Sequence, residues 1–176
     1  EDAVELSTRI ANTIIKKFKP RLGKQKPDKI RPSNLGQPAR KLWYDLHTRP
    51  DEFKYSESML LNFLYGDICE DLMIWLAKKA GHLVTDEQMW VQGYGKRGMI
   101  DCKIDGHVVD CKSAFAANYD KFKKGTLHKP EGDPYGYKGQ LSYYDQVIKS
   151  DQTEVTTAYF FAFNKVGSLC TMPLNT

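Results

Sequence analysis

The stretch that decides the reading is Gly98-Met99-Ile100-Asp101-Cys102-Lys103-Ile104-Asp105-Gly106-His107-Val108-Val109-Asp110-Cys111-Lys112. Asp105-Gly106 is a strong signal for a two-residue type I′ turn, whose central positions both need positive φ. With that turn in place, Ile104 faces His107 and every cross-strand pair sums to 211, so Asp101 falls directly opposite Asp110. Alternation sends Ile100, Cys102, Ile104, Val109 and Cys111 to one, nearly all apolar face. It sends Met99, Asp101, Lys103, Val108, Asp110 and Lys112 to the other. Two carboxylates so placed have Cβ atoms only ~4.5–5.5 Å apart and repel each other. Two arrangements offset the repulsion. A divalent cation can sit between them, with all-oxygen ligation favouring Mg²⁺ or Mn²⁺. Alternatively, this is a surface hairpin whose Lys103 and Lys112 neutralise the acids. Lys112 projects to the face of Asp110 and is placed to stabilise charge on a phosphate or to orient a water.

Upstream, residues 53–79 read as one long helix. Met59, Leu60, Phe63, Leu64, Ile68, Leu72, Trp75 and Leu76 form its apolar stripe, and Gly81 stops it. Glu70 shares a face with Phe63 and Ile74, so it is either a third acid for the hairpin or an exposed residue beside Asp71. Gly66, one turn earlier, leaves room for a metal or a neighbouring strand. Residues 4–18 carry apolar side chains at helical spacing and end before Pro20. Ser33 is placed to cap a second helix running to about His47, with Pro38 in its first turns.

Residues 88–94, 99–104 and 107–112 read as three strands. Residues 113–135 read as a long polar and aromatic loop, 137–149 as a helix, 155–163 as a buried strand and 168–172 as one more. The order is helices, a β-meander, a helix and a strand. It predicts an α/β fold with a central mixed sheet flanked by helices.

A chain of 176 residues with 41% hydrophobic and 27% charged residues fits one globular domain able to bury its own core. No apolar run approaches the roughly 18–20 residues of a membrane span, and no signal-peptide pattern opens the sequence. The chain begins Glu1-Asp2-Ala3 rather than with Met, which reads as a trimmed start. Cys69, Cys102, Cys111 and Cys170 show no C-x-x-C spacing, and the histidines are scattered. These thiols therefore read as reduced core cysteines of a cytosolic protein. Between Lys16 and Lys41, ten Lys/Arg residues accompany one acid, Asp28, so this stretch carries +9 of a net +4 and the remainder −5. It is either a solvated arm or a contact for nucleic-acid phosphates. A second basic run, Lys121-Phe122-Lys123-Lys124, is interleaved with Phe115, Tyr119, Tyr135 and Tyr137, a composition suited to base stacking beside phosphates.

Taken together, these residues resemble the PD-(D/E)XK nuclease superfamily. The hairpin supplies Asp101…Asp110-Cys111-Lys112. Gly136-x-x-x-Gln140-x-x-x-Tyr144 is similar to the G-x-x-x-Q-x-x-x-Y pattern of its RecB-type branch, which includes phage recombination exonucleases and CRISPR-adaptation nucleases. Gly66-x-x-x-Glu70 is similar to that branch's upstream helix element. The matching order spans roughly residues 66–144. The D-x-K piece alone is weak, whereas the four elements in order are specific.

The resemblance implies a restriction-endonuclease-like core over residues 53–172, with residues 1–50 as a basic helical N-terminal part. It implies that Glu70, Asp101, Asp110 and the backbone carbonyl of Cys111 ligate Mg²⁺ or Mn²⁺. Lys112 would position or activate the attacking water, and Gln140 and Tyr144 would orient Lys112, the phosphate or the strand. Arg31 and Ser33 resemble an upstream DNA-contacting element, and Lys121, Lys123 and Lys124 are further DNA-binding candidates. Some relatives hold an iron–sulfur cluster with one early and three late cysteines. Only Cys170 is late here, so no cluster is expected. The implied activity is hydrolysis of DNA phosphodiester bonds, leaning to an exonuclease that processes ends in recombination, repair or phage DNA metabolism. The alternatives are a structure-specific or nicking endonuclease, or a DNA-binding module that needs a partner to cut. A homo-oligomer or a recombination partner fits the composition, and the expected location is the cytoplasm of a bacterial or phage-infected cell.

Overall fold

The computed structural model describes residues 29–47, 56–129, 132–150 and 157–174. The helix expected at residues 4–18 and most of the first basic stretch lie outside them. The chain enters through a 3-10 turn, Pro32–Asn34, and helix α1, Ala39–His47. Ser33 lies within that turn and caps no helix. Pro38 lacks an N–H, so α1 begins only after it, with Leu42 N–H donating to the Pro38 carbonyl at 3.1 Å.

Helix α2 spans Glu57–Lys79. Ser56 caps it, its hydroxyl accepting from the Met59 N–H at 3.3 Å. Lys78 and Lys79 suit the negative end of its dipole, and Gly81, at φ +92°, follows its C-terminus. The helix buries Cys69, Met73, Ile74 and Ala77 and leaves Met59, Ile68, Leu72 and Trp75 exposed. The expected stripe is therefore not the buried face. Small and sulfur-bearing side chains allow close approach to the sheet, and the bulkier apolar ones ride outside.

The strands are β1 (Val84–Thr85), β2 (Trp90–Gly93), β3 (Lys96–Met99), β4 (Cys102–Ile104) and β5 (His107–Ala114), followed later by β6 (Tyr159–Asn164) and β7 (Ser168–Pro173). Five of them form a mixed sheet in the order β1-β4-β5-β6-β7, while β2 and β3 make a separate hairpin. The register of β4 on β5 pairs Ile104 with His107 and Cys102 with Val109, as the Asp105-Gly106 turn requires. Asp105 and Gly106 have φ of +51° and +82°. Neighbours β5 and β6 run parallel, so a crossover must join them.

That crossover contains helix α3 (Ala116–Lys123), a 3-10 turn (Thr126–His128) and helix α4 (Tyr137–Ser150). Residues 113–135 are not the loop that their polar and aromatic composition suggests. Instead β5 continues to Ala114 and Tyr119 and Phe122 of α3 are buried in the core. Asp133 caps α4, its two carboxylate oxygens accepting from the N–H groups of Tyr137 and Lys138 at 2.9 and 2.8 Å. The result is an α/β sheet covered on both faces. α2 packs Met73 and Ile74 against Cys102, Val109 and Cys111. α3 and α4 bring Phe122, Leu141, Tyr144 and Val147 against Val108, Phe160 and Ala162. Among the described residues no helix is long and apolar enough to cross a membrane. Cys69, Cys102, Cys111 and Cys170 are free thiols.

Candidate active site

Residues 99–104 are not one strand. β3 ends at Met99, pairing with β2, and β4 starts at Cys102, pairing with β5. The break carries Ile100 away from Cys102 and Ile104 and into the core under α4, opposite to its expected face. It also leaves Asp101 just beyond the end of the β4–β5 ladder. There the Asp101 carboxylate accepts the Cys111 backbone N–H at 2.7 Å. Asp110 is buried on the central strand β5, and its Oδ2 lies 2.5 Å from Lys112 Nζ. Lys112 in turn lies over the Tyr137 ring, 5.3 Å from its centre.

Glu70 reaches the same locus from α2, and Gly66 meets the sheet there: a Cβ on it would touch Ser113 Oγ of β5 at 3.9 Å. Glu70 accepts a hydrogen bond from Gln88. Gln88 is a residue the sequence reading passed over. It stands just before β2, where its N–H donates to the Asp101 carbonyl at 2.9 Å and joins the two halves of the broken strand. Asp86 and Gln88 both take φ +53°, a conformation that non-glycine residues adopt at an energetic cost.

The electrostatics follow from this crowding. Burial, then the neighbouring Asp110, push Asp101 up to about 8. Burial, then Asp67 and Asp71, raise Glu70, with Asp110 adding to the effect. Burial raises Asp110, and the Lys112 ammonium opposes it. For Lys112 burial works towards the neutral form, but Asp110 and Asp101 outweigh it and hold the ammonium above the ordinary lysine range. Lys112 is therefore a fixed cation rather than a proton acceptor at neutral pH.

Gln140 and Tyr144 stand one turn apart on α4, and the Tyr144 hydroxyl lies close to Gln140 and to the Met99 backbone. Both Asp110 and Asp101 act on Tyr144 electrostatically. Gly136 does not lie on the helix face with them. It precedes α4 at φ +75°, and a Cβ there would come within 2.5 Å of the Gly36 backbone. Arg31 and Ser33 flank Pro32, and Pro32 and Tyr144 pack on the same residue, Gly98. Arg31 and Ser33, exposed on either side of the buried Pro32, thus lie beside the Tyr144 end of the site. Lys121, Lys123 and Lys124 belong to α3 and its C-terminal cap; Lys124 pairs with Asp120 at 3.0 Å.

Among the described residues no three His, Cys, Asp or Glu side chains stand close enough together to hold a metal ion. The donor chemistry nonetheless fits a hard divalent cation. Asp110 Oδ2 is buried with only the Lys112 ammonium beside it, and Asp110 raises the proton affinity of both Asp101 and Glu70, a crowding of negative charge that a cation relieves. A cavity of about 500 Å³, lined by Leu76, Ile104, Val109, Tyr159 and Phe161 among others, sits on the apolar face of the hairpin, and its lining includes none of these acids. Compared with family models, curated proteins and solved structures, the chain matches none.

Proposed function

We propose that the chain is a metal-dependent DNA nuclease of the PD-(D/E)XK superfamily, in its RecB-type, phage exonuclease-like branch, with the five-stranded sheet as a restriction-endonuclease-like core. The observation that carries the reading is the convergence of Glu70, Asp101, Asp110 and Lys112 from α2, the strand break and β5, with the Gln140–Tyr144 pair alongside.

In this reading Glu70, Asp101, Asp110 and the Cys111 carbonyl hold Mg²⁺ or Mn²⁺. The bound ion supplies Lewis-acid polarisation of the phosphate and a more acidic water. The chain's own residues do the rest. Lys112, fixed as a cation by Asp110, neutralises charge that grows on the phosphoryl oxygens. Asp101 keeps one oxygen committed to the Cys111 N–H, which fixes the carboxylate relative to β5. Tyr144, with Gln140, closes the α4 side and orients the strand. The product class is DNA shortened from its ends, with nicking or structure-specific cutting as the alternative.

A second reading has one observation in its favour. Glu70, Asp101 and Asp110 are each engaged by Gln88, Cys111 or Lys112 rather than gathered around one point. A DNA-binding module that cuts only when a partner completes the site has this property.

One gel experiment separates these. The protein and its Lys112→Ala variant are incubated with linear and circular DNA, single- and double-stranded, in Mg²⁺, Mn²⁺ or EDTA. Metal-dependent loss of linear DNA alone, absent in the variant, supports the exonuclease. Cutting of circles moves the assignment to an endonuclease. DNA binding without cutting favours the partner-dependent module, and neither binding nor cutting overturns the nuclease reading.

A further inference from the structure

On the face of the hairpin that carries Asp101 and Asp110, one strand step away, lies a pocket of about 430 Å³ between the β2–β3 hairpin and α4. Its walls include Trp90, Gln92, Asp86, Lys103 and Val147. That volume is in the range of small-ligand sites.

Trp90 is 58% exposed, much as Trp43 and Trp75 are, but it is held in place. The Arg97 guanidinium lies 4.3 Å from its ring centre. The hairpin beneath it is tied to α4. The Tyr143 hydroxyl donates to the Lys96 carbonyl at 2.7 Å and accepts from the Gly93 N–H at 3.2 Å. The polar wall is also fixed. Lys103, with a side chain only 10% exposed, pairs with Asp86 at 2.9 Å. Gln92 brings an amide that both donates and accepts.

We propose that this pocket receives a nucleobase of the bound DNA strand, an inference that rests on the nucleic-acid reading above. A base offers a flat π face for Trp90 and an edge of donors and acceptors for Gln92, Asp86 and Lys103. A phosphate does not fit, because Asp86 repels it and Lys103 is already neutralised. The pocket and the acids share a loop. Asp86 turns to Lys103, and two residues on Gln88 turns to Glu70. Lys103 lies two residues from Asp101, roughly 7 Å along the chain at strand spacing. The captured base therefore belongs to the part of the strand next to the phosphate at the acids, and its seating sets which bond is presented.

The test uses single-stranded oligonucleotides with one abasic position moved along the strand, and binding is read by fluorescence anisotropy with EDTA or Ca²⁺ present. One position is expected at which losing the base weakens binding about tenfold. That penalty should vanish in Trp90→Ala and persist in Trp90→Phe. Trp90 is exposed, so both variants keep the fold, checked by circular dichroism. If no position matters, or if Trp90→Ala keeps the penalty, the pocket is not a base site, while cleavage of the intact strand in Mg²⁺ leaves the nuclease reading standing. If the unmodified chain binds no oligonucleotide in either condition and cuts none, both readings fall together.

Discussion

The Asp101 carboxylate accepts the backbone N–H of Cys111 across the mouth of the hairpin, 2.7 Å away. Its neighbour Asp110, one position beyond the last β4–β5 pair, turns instead to the Lys112 ammonium at 2.5 Å. Two neighbouring acids, one just past the end of the ladder and one within β5, are thus drawn to different donors. Lys112→Met removes the countercharge of a buried carboxylate. It is expected to cost about 3–5 kcal/mol of stability and to lower kcat by at least about 10²-fold. The double variant Asp110→Asn/Lys112→Met should be more stable than Lys112→Met alone. Urea unfolding of the single and double variants checks this, and additive losses would refute the pairing.

Metal-free protein should lose stability as pH rises. The folded Asp101 pKa of about 8 lies above its ordinary 3.8. Between those values the folded state binds more protons than the unfolded chain, so stability from this group is present at low pH and is lost towards pH 8. Asp101→Asn should flatten that slope. Mg²⁺, which favours the ionised acids, should raise Tm more at pH 8 than at pH 5. Thermal melts at three pH values, with and without Mg²⁺, measure both effects.

Gln88 acts on the site through Glu70. Gln88→Ala should raise the Mg²⁺ concentration needed for half-maximal cleavage by about 10-fold or more while leaving the fold intact. Gln88→Glu should be worse, because it adds a like charge beside Glu70. A Mg²⁺ titration of cleavage rate decides the matter, and an unchanged midpoint in Gln88→Ala would remove Gln88 from the site.

Gly98 has no room for a side chain. A Cβ there would lie 2.7 Å from the Tyr144 ring and 2.8 Å from Pro32. Gly98→Ala should cost about 1–3 kcal/mol through overpacking and should displace Tyr144. Gly95→Ala, where no atom lies within 4 Å but φ is +69°, controls for backbone strain alone. The two variants should differ in activity more than in Tm.

Much of this was legible because the turn chemistry was strong. Asp105-Gly106 set the register of Cys102 with Val109, and hence the placing of Asp101 beside Asp110. Glu70 and Tyr144 arrive at the site because helical spacing carries them there. The break at Ile100–Asp101 was not legible, since an apolar-polar alternation runs through it unchanged and only the pairing partner switches from β2 to β5. The buried face of α2 is not legible because its apolar residues are spread around the helix, with Asp67, Glu70 and Asp71 among them, and periodicity selects a face only when the other is polar. Helix α3 was hidden by its mixture of charges and aromatics, and its Phe122 and Tyr119 proved to be core rather than a stacking surface. Gln88 belongs to no pattern, and a hydrogen bond to Glu70 from 18 residues away in sequence is a property of the folded chain alone.

The parallel pairing of β5 with β6 has a consequence for the order in which the chain is made. Asp110 sits opposite Phe160 and Lys112 opposite Ala162, so the strand bearing both is completed only by residues synthesised about fifty positions later. A nascent chain that has emerged as far as α4 carries every acid of the site and the β4 neighbour of β5, but not its β6 neighbour. In the nuclease we propose, Asp110 and Lys112 therefore reach their folded setting only once β6 lies against β5.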